Sequence, residues 1–347
     1  MVDASAPQPG TPRSAVRQVE ATTEEAGLRL DKYVAKALPQ VPLSHVFRLI
    51  RKGEVRVNGK RASGSQRLQA GDIVRLPPVR AAVAPVDADG SPAPRRVPPR
   101  LIEEIRGAVM HRDEQLLVVN KPAGLAVHGG SGVSFGVIEA LRAAYPDDTL
   151  ELVHRLDRDT SGCLLVARKA STLRTLHALL REHEFEKRYL ALVIGKWDLG
   201  KKRIDMPLRT DLRVGGERTV KVQPSGKSAI SDFRPVQFFG NRATLLEVSI
   251  RTGRTHQIRV HASYAGHPVA GDDKYGDREA NAMLKDFGLR RMFLHASSVS
   301  FTWPQSGTEF SANAPLPADL AAVIDNLAAA PVRGRRSPRG ARRPRAR

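Results

Sequence analysis

Leu150-Glu151-Leu152-Val153-His154-Arg155-Leu156-Asp157-Arg158-Asp159-Thr160-Ser161-Gly162-Cys163-Leu164-Leu165-Val166-Ala167 is the stretch on which the reading of this chain turns. Two apolar runs, 150–153 and 163–167, enclose nine residues that include a His, two Arg, two Asp, a Thr and a Ser. Apolar runs of this length bounded by polar turn residues predict two strands joined by a tight loop. A loop held by strands at both ends presents its side chains rigidly, as a site requires. Asp157 lies beside Arg155 and Arg158, and opposite charges favour the ionised form of a carboxylate, which can then act as nucleophile or base. The competing reading makes Asp157 a turn carboxylate tied to the backbone of Thr160 or Ser161. The loop alone leaves both open.

Working outward, Leu116 to Val119 predicts a short buried strand that ends at Asn120-Lys121-Pro122, with Ala123-Gly124 as a turn. His128-Gly129-Gly130-Ser131-Gly132 is Gly-rich but lacks the Gly-Lys-Ser/Thr ending of a nucleotide loop, so it reads as a place of close backbone approach. Phe135, Ile138, Leu141 and Tyr145 predict an amphipathic helix, and Ser171 the N-cap of another with Leu173, Leu176 and Leu180 inward. Tyr189 to Ile194, Ile230 to Phe238, Thr244 to Ile250, Gln257 to His261 and Val299 to Trp303 read as strands, and Leu320 to Leu327 as a terminal helix. The fold class is therefore α+β, with an extended, mostly antiparallel mixed sheet in the larger part of the chain.

Two further polar constellations accompany the loop. In Gly253-Arg254-Thr255-His256-Gln257-Ile258-Arg259-Val260-His261, a strand would place Gln257, Arg259 and His261 on one face and Ile258 and Val260 on the other. In Lys187-Arg188-Tyr189 an aromatic ring follows two cations, a grouping suited to stacking a base while holding its phosphate. A Ser161/His154/Asp157 triad is set aside, because three residues of one tight loop do not align as nucleophile, base and orienter. His256, His261 and His267 lack a metal-ligand spacing such as His-Glu-x-x-His, so no metal site is expected.

Charge points to the partner. The chain has 56 Lys and Arg against 36 Asp and Glu, a net +20 and a sequence pI near 10.7. Removing the Arg/Pro/Gly tail, which holds eight Arg after position 332, leaves +12, so the body itself is basic and suits an anionic partner such as nucleic acid. Cys163 is the only cysteine, which excludes an internal disulfide and a cysteine metal cluster. No run approaches the roughly 18 apolar residues of a membrane span and the N-terminus lacks an apolar signal core, so a cytoplasmic protein is expected, with no membrane partner.

The basic charge concentrates near the N-terminus. Between Leu28 and Arg80 there are twelve Lys and Arg against three Asp and Glu. Leu30 to Leu38 predicts one helix. Leu43, Val46, Phe47 and Ile50 predict the buried face of a second, which Gly53 stops. A strand over Glu54 to Asn58, the hairpin signal Asn58-Gly59 and a strand from Ile73 to Leu76 follow. Leu30-Asp31-Lys32-Tyr33, Arg51-Lys52-Gly53, Val55 to Gly59 and Ala70-Gly71-Asp72 give this module a resemblance to the S4 RNA-binding domain. Its candidate RNA contacts are Lys32, Arg48, Arg51, Lys52, Arg56, Lys60 and Arg61. The expected organisation is a disordered segment 1–20, the S4-like module 21–80, a Pro/Ala-rich linker 81–100, a larger α+β domain 101–330 and a disordered basic tail 331–347.

Leu117 to Gly124, His154-Arg155-Leu156-Asp157 with Thr160-Ser161-Gly162, Lys187 to Val193, Gly253 to His261, Gly266-His267-Pro268, Asp272 to Gly276 and Leu294-His295-Ala296 occur in an order that resembles the large-subunit (RluA-type) pseudouridine synthases. Within that family, Val127 to Gly132 with Ser134 to Glu139 points to the C-type branch. The resemblance spans about residues 20 to 325 and implies isomerisation of uridine to pseudouridine in 23S rRNA by a base-flipping enzyme. It implies no cofactor, and as partner the rRNA or a large-subunit assembly intermediate bound by a monomer. It makes Asp157 the catalytic aspartate, leaving open whether it adds to the base, attacks the ribose or abstracts a proton. Tyr189 matches the residue that stacks on the target base, Arg259 the arginine paired with the aspartate, Arg155 a residue that fills the vacated stack and Leu294 a pocket wall. His154, Thr160, Lys187, Arg254, His256 and Gln257 lie in the same motifs and are candidate substrate contacts. A non-catalytic rRNA-binding factor of the same fold is the alternative.

Overall fold

The computed structural model describes residues 16–38, 41, 43–78, 96–129, 135–212 and 218–331. Most of the expected linker 81–100, the tail beyond 331 and Gly130 to Gly132 lie outside these residues. The chain divides into two compact units with the boundary between Arg96 and Val97.

The first unit contains β1 (Arg17–Glu20), α1 (Leu30–Ala37), α2 (Leu43–Lys52), β2 (Arg56–Val57), β3 (Lys60–Arg61) and β4 (Ile73–Leu76). Its strands form an antiparallel sheet in the order β1-β4-β2-β3. β1 corrects the expectation of a disordered start through residue 20, because Arg17 to Glu20 pair with Leu76 to Ile73. The hairpin forms where Asn58-Gly59 stands: both residues have positive φ (51° and 75°), which the tight turn demands and Asn and Gly tolerate. Asn58 also donates to Asp72 Oδ1 and accepts from the Ile73 N–H, each at 2.8 Å. Leu30, Val34, Val46, Leu49, Ile50, Val55 and Val74 pack into one core between helices and sheet. Phe47 is not part of it; its side chain is on the surface, 46% exposed, and Leu49 takes the inward place. The i, i+3, i+4 pattern admits either residue, and the orientation of the helix on the sheet chose Leu49.

The second unit contains α3 (Pro99–Gly107), β5 (Val109–Arg112), β6 (Leu116–Lys121), α4 (Val137–Ala144), β7 (Glu151–Leu152), β8 (Ser161–Ala167), α5 (Ala170–Glu182), β9 (Glu186–Ile194), β10 (Lys202–Asp205), β11 (Leu208–Leu212), β12 (Arg218–Val222), β13 (Ile230–Phe239), β14 (Ala243–Ile250), α6 (Gln257–Tyr264), α7 (Arg278–Leu284), β15 (Leu294–Thr302), β16 (Glu309–Asn313) and α8 (Ala318–Ala329). Among the described residues the large sheet runs β10-β13-β14-β9-β15-β8-β6-β5, with β7 beside β8 and β16 beside β15. All its pairs are antiparallel except β8 with β15. β11 and β12 form a separate hairpin.

Both faces of the central sheet are covered, which is why β6 and β8 read as continuous apolar runs rather than alternating ones. Leu117, Val119, Leu164 and Val166 join Ile138 and Leu141 of α4 in one core. Leu116, Val118, Cys163 and Leu165 join Leu176 and Leu179 of α5 in the other. The N-cap of α5 is Lys169 rather than Ser171, which lies inside the first turn. The parallel contact of β8 and β15 needs glycine at 162. A Cβ there would stand 2.1 Å from the Ala296 carbonyl oxygen, and φ is +110°.

The expected strand over Gln257 to His261 is instead the start of helix α6, buried from Gln257 through Ala262. Ile258 and Ala262, one turn apart, enter the core under the sheet, while Val260 packs with Leu208 and Val220 of the hairpin. Five residues of alternating polarity fit a strand only if the polar face meets water. Here the polar side chains are buried against dedicated partners, so the alternation had no bearing on period.

Leu49→Ala should destabilise the first unit by about 2–5 kcal/mol, the cost of a core truncation. Phe47→Ser should change it by less than about 0.5 kcal/mol. Hydrogen exchange of the α2 amides in the full chain measures both.

Candidate active site

The loop between β7 and β8 opens into a cavity of about 260 Å³ in the second unit. Its wall gathers Asp157, Tyr189 and Arg259 together with His154, Arg155, Thr160, Lys187, Arg254, His256, Gln257 and Leu294. Segments more than a hundred residues apart in the chain thus meet at one place. Leu180, Ile250 and Arg251 complete much of the rest of the wall.

Three anchors fix the loop. The turn is closed by the main chain, with the Thr160 N–H donating to the Asp157 carbonyl at 3.2 Å, so the Asp157 carboxylate is not consumed in a turn. Where the loop enters β8, the Ser161 hydroxyl bonds His295 Nδ1 at 3.0 Å. His295 Nε2 is 3.2 Å from the Ala314 carbonyl, which can only accept, so Nε2 carries the proton and Nδ1 receives Ser161. Lys121, buried at the end of β6, donates to the carbonyls of Pro122, Leu125 and Arg158 at 2.8, 2.8 and 2.9 Å. Burial pulls the Lys121 amine down to about 7, against the opposing pull of the Asp159 and Asp157 carboxylates. Its three acceptors match the three N–H groups of an ammonium.

Arg158 and Arg155 do not pair with Asp157 as their places in sequence suggest. Arg158 bonds Asp159 at 3.3 Å, and Arg155 is exposed at the cavity mouth. The guanidinium on Asp157 is Arg259, whose Nη1 lies 3.4 Å from Oδ2. Arg259 is itself clamped: Nε and Nη2 donate to the two oxygens of Asp272 at 2.7 and 2.9 Å. The Asp272 side chain is wholly buried and also accepts the N–H groups of Lys274 and Tyr275, at 2.9 and 3.1 Å. Burial works against both charges. The bonds to Asp272 and the charges of Asp272 and Asp157 outweigh it at Arg259, whose pKa is raised, and Arg259 with the two N–H groups outweighs it at Asp272, whose pKa is lowered.

The remaining wall divides into groups that meet solvent and groups already satisfied. Gln257 is of the second kind: its Oε1 accepts from the Thr252 hydroxyl and the Arg254 N–H, and its amide donates to Ile230 and Ser231. It ties the Gly253 to His256 turn to β13. His154 Nε2 accepts the Leu165 N–H at 3.1 Å, and burial together with Lys187 pushes its pKa down to about 4, so the ring is neutral. Burial draws Lys187 down to about 8 and raises the Tyr189 phenol, to which the Asp157 charge adds. Tyr189 is thereby held protonated, a ring and a donor in the wall. Asp272, Tyr275 and Lys121 are the residues that sequence reasoning left without a role. Their motifs were visible, but nothing in one dimension showed which charge each would meet.

In the first unit Lys32, Arg48, Arg51, Lys52, Arg56, Lys60 and Arg61 are all exposed. Arg56 donates to the Gly53 and Gly59 carbonyls and Arg61 to that of Lys52, so two of the four guanidiniums among these seven cations are held at the hairpin by the backbone. No helix among the described residues is long and apolar enough to cross a membrane.

Comparison with known proteins follows the same division. The RNA pseudouridylate synthase family matches residues 115–264 and the S4 domain residues 28–74. Ribosomal large subunit pseudouridine synthase C of Pasteurella multocida (strain Pm70) is 48% identical over 314 residues, 90% of this chain and 94% of its own. The protein of that name from Escherichia coli (strain K12) is 47% identical over 322 residues, 91% of this chain and 98% of its own. Among solved structures, human RNA Pseudouridylate Synthase Domain Containing 1 superposes with a TM-score of 0.52 at 25% identity, covering 66% of this chain and 97% of its own. Human RNA Pseudouridylate Synthase Domain Containing 4 shares the fold with a TM-score of 0.55, at 23% identity over 66% of this chain and 96% of its own.

Asp272→Asn should cost about 3 kcal/mol, because it leaves a buried guanidinium without a buried counter-charge. The linkage sign follows from the lowered Asp272 pKa. Its contribution is complete above the ordinary carboxylate pKa of about 4 and is lost as pH falls through the lower folded value. Urea unfolding of both proteins at pH 7 and in acid should show the gap narrowing in acid.

Proposed function

The chain belongs to the RNA pseudouridylate synthase family, and we propose that within it this enzyme isomerises specific uridines of 23S ribosomal RNA to pseudouridine. In that reaction the C1′–N1 bond of the nucleotide breaks, the uracil turns, C5 bonds to C1′, C5 loses its proton and N1 gains one. The observation that carries the reading is the carboxylate of Asp157, set in a cavity and bonded by Arg259, with the Tyr189 ring in the same wall.

A carboxylate cannot reach a base inside a stack, so the target nucleotide is flipped into the cavity, at a cost of a few kcal/mol. Tyr189 stacks on the flipped uracil and Leu294 closes its other side. Arg155, exposed at the mouth, enters the vacated stack. Lys187 and Arg254 hold the phosphates beside it, and His154, Thr160, His256 and Gln257 shape the floor. Asp157 acts on the nucleotide, and Arg259, steadied by Asp272, keeps one oxygen of the carboxylate in a fixed direction. That Asp272 takes two of the bonds of Arg259 leaves Asp157 only partly neutralised and therefore reactive.

The S4 domain supplies affinity for folded RNA through phosphate contacts from α2 and the β2–β3 hairpin. Exposed Phe47 on the same helix adds an aromatic face to that surface. The partner is the rRNA or an assembly intermediate of the large subunit. Names borne by close relatives over nine tenths of the chain support this target. We place the enzyme in the cytoplasm, where ribosomal RNA is modified in bacteria, and as a monomer whose cavity gathers Asp157, Tyr189 and Arg259.

Asp157→Asn should abolish pseudouridine formation while RNA binding changes less than about threefold, the asparagine being nearly isosteric. Pseudouridine mapping on 23S rRNA incubated with each protein, with filter binding alongside, measures this; residual modification at the wild-type rate refutes the assignment. Arg51→Gln with Lys52→Gln should lower the slope of log affinity against log salt by about 2 and leave the choice of uridine unchanged.

A further inference from the structure

His256 adopts a left-handed conformation, φ 54° and ψ 23°, at the residue before α6. A non-glycine residue is seldom held there and persists only where its surroundings over-determine it. The surroundings are specific. His256 Nδ1 lies 2.8 Å from the Tyr275 hydroxyl, and the two rings meet edge to face with centroids 5.5 Å apart. That hydroxyl accepts the Val220 N–H at 3.0 Å, so its own proton is left to point at Nδ1. Burial raises the Tyr275 phenol, which keeps that proton in place. With the phenol donating to Nδ1, the imidazole carries its proton on Nε2, and Nε2 stands 4.0 Å from Asp157 Oδ2, the oxygen that Arg259 also approaches.

We propose that Tyr275 and His256 form a positioning chain for Asp157, in which the phenol locks the imidazole as its Nε2–H tautomer and so presents a neutral donor to the reactive carboxylate. This rests on the reading of Asp157 as the reacting group. It assigns Tyr275, whose hydroxyl also accepts the Val220 N–H of β12, to the reaction at one remove.

The charge state matters as much as the direction. Arg259 already supplies one cation to Asp157. A second would deepen the ion pair and blunt the carboxylate as nucleophile or base. A neutral N–H at 4.0 Å turns a dipole toward Oδ2 and stabilises the carboxylate less. The groups that face His256 are Asp157 on the loop before β8, Arg259 on α6, and Asp272, Lys274 and Tyr275 on the segment after α6. Burial, Arg259 and Lys274 oppose the imidazolium, while Asp157 and Asp272 favour it; the balance lies toward the neutral ring. Acid that protonates His256 should therefore quench Asp157 and give the rate an acid limb. Tyr275 holds that limb down, because a proton on Nδ1 would have to displace its hydroxyl hydrogen.

The test is Tyr275→Phe in the full-length enzyme on 23S rRNA transcript. We expect kcat to fall by about tenfold with KM within about twofold, and the acid limb of kcat to move to higher pH. An unchanged rate, or a fall with the pH profile unmoved, overturns the proposal, since loss of packing alone does not shift a titration. His256→Gln, which keeps a side-chain N–H but cannot titrate, should retain more activity than His256→Ala and lack the acid limb. Equal loss in both overturns the donor role, and this pair decides should Tyr275→Phe fail to fold. If Asp157→Asn remains active, the active-site reading itself has failed. If Asp157→Asn is inactive while the Tyr275 and His256 variants behave as wild type, only the positioning chain is wrong.

Discussion

The bidentate pair of Arg259 with Asp272 governs the geometry of the site. A guanidinium in the interior cannot be left unpaired, and Asp272 satisfies it with two parallel bonds in one plane. That plane leaves Nη1 aimed at Asp157, so the direction of the carboxylate follows from a contact the substrate never reaches. The pair in turn depends on α6 being where it is. Gln257 gives its amide to β13 and its Oε1 to Thr252 and the Arg254 N–H, and His261 bonds Ser231 and the Met206 carbonyl of the loop before β11 at 3.0 Å each. The short helix is thus bolted by polar contacts as much as by Ile258 and Ala262 in the core.

Asp157 is held from the opposite side by the sheet. β8 and β15 run parallel and nearly touch at Gly162, so the loop that precedes β8 starts from a point with no freedom to shift. Lys121 then draws the Arg158 carbonyl toward the end of β6. The loop is short, polar and exposed enough to meet RNA, yet both of its ends are fixed by buried bonds. Such preorganisation is what a carboxylate needs if its reaction depends on meeting a flipped nucleotide at one distance. The S4 unit needs none of this precision. Its cations lie on the surface of a separate core, and phosphate contacts tolerate movement that the chemistry does not.

Much of this was legible in one dimension for identifiable reasons. The runs at Leu116 to Val119 and Cys163 to Ala167 are apolar without interruption, which only a sheet covered on both faces requires. Asn58-Gly59 names its own turn, since few other residues accept two successive positive φ values. The segment Gln257 to His261 misled because alternation and helical periodicity cannot be separated over five residues when polar side chains are buried. Phe47 misled because two neighbouring apolar residues on a helix compete for the core, and only the packing angle chooses between them. Asp157 itself was visible as a carboxylate among arginines, though its adjacent arginines turned out to be the wrong ones.

The sequence by itself determined the α+β class, the basic N-terminal module, the loop that carries Asp157 and the family. These are properties of composition, short-range order and motif, which survive in a list of residues. The tertiary structure decided which guanidinium meets Asp157, that Asp272 restrains that guanidinium, that Arg259 is carried on a helix, and that Tyr275 reaches His256. Each is a contact between segments far apart in the chain. Its existence depends on how sheet and helix close around a buried charge, and local residue preference carries no record of that closure.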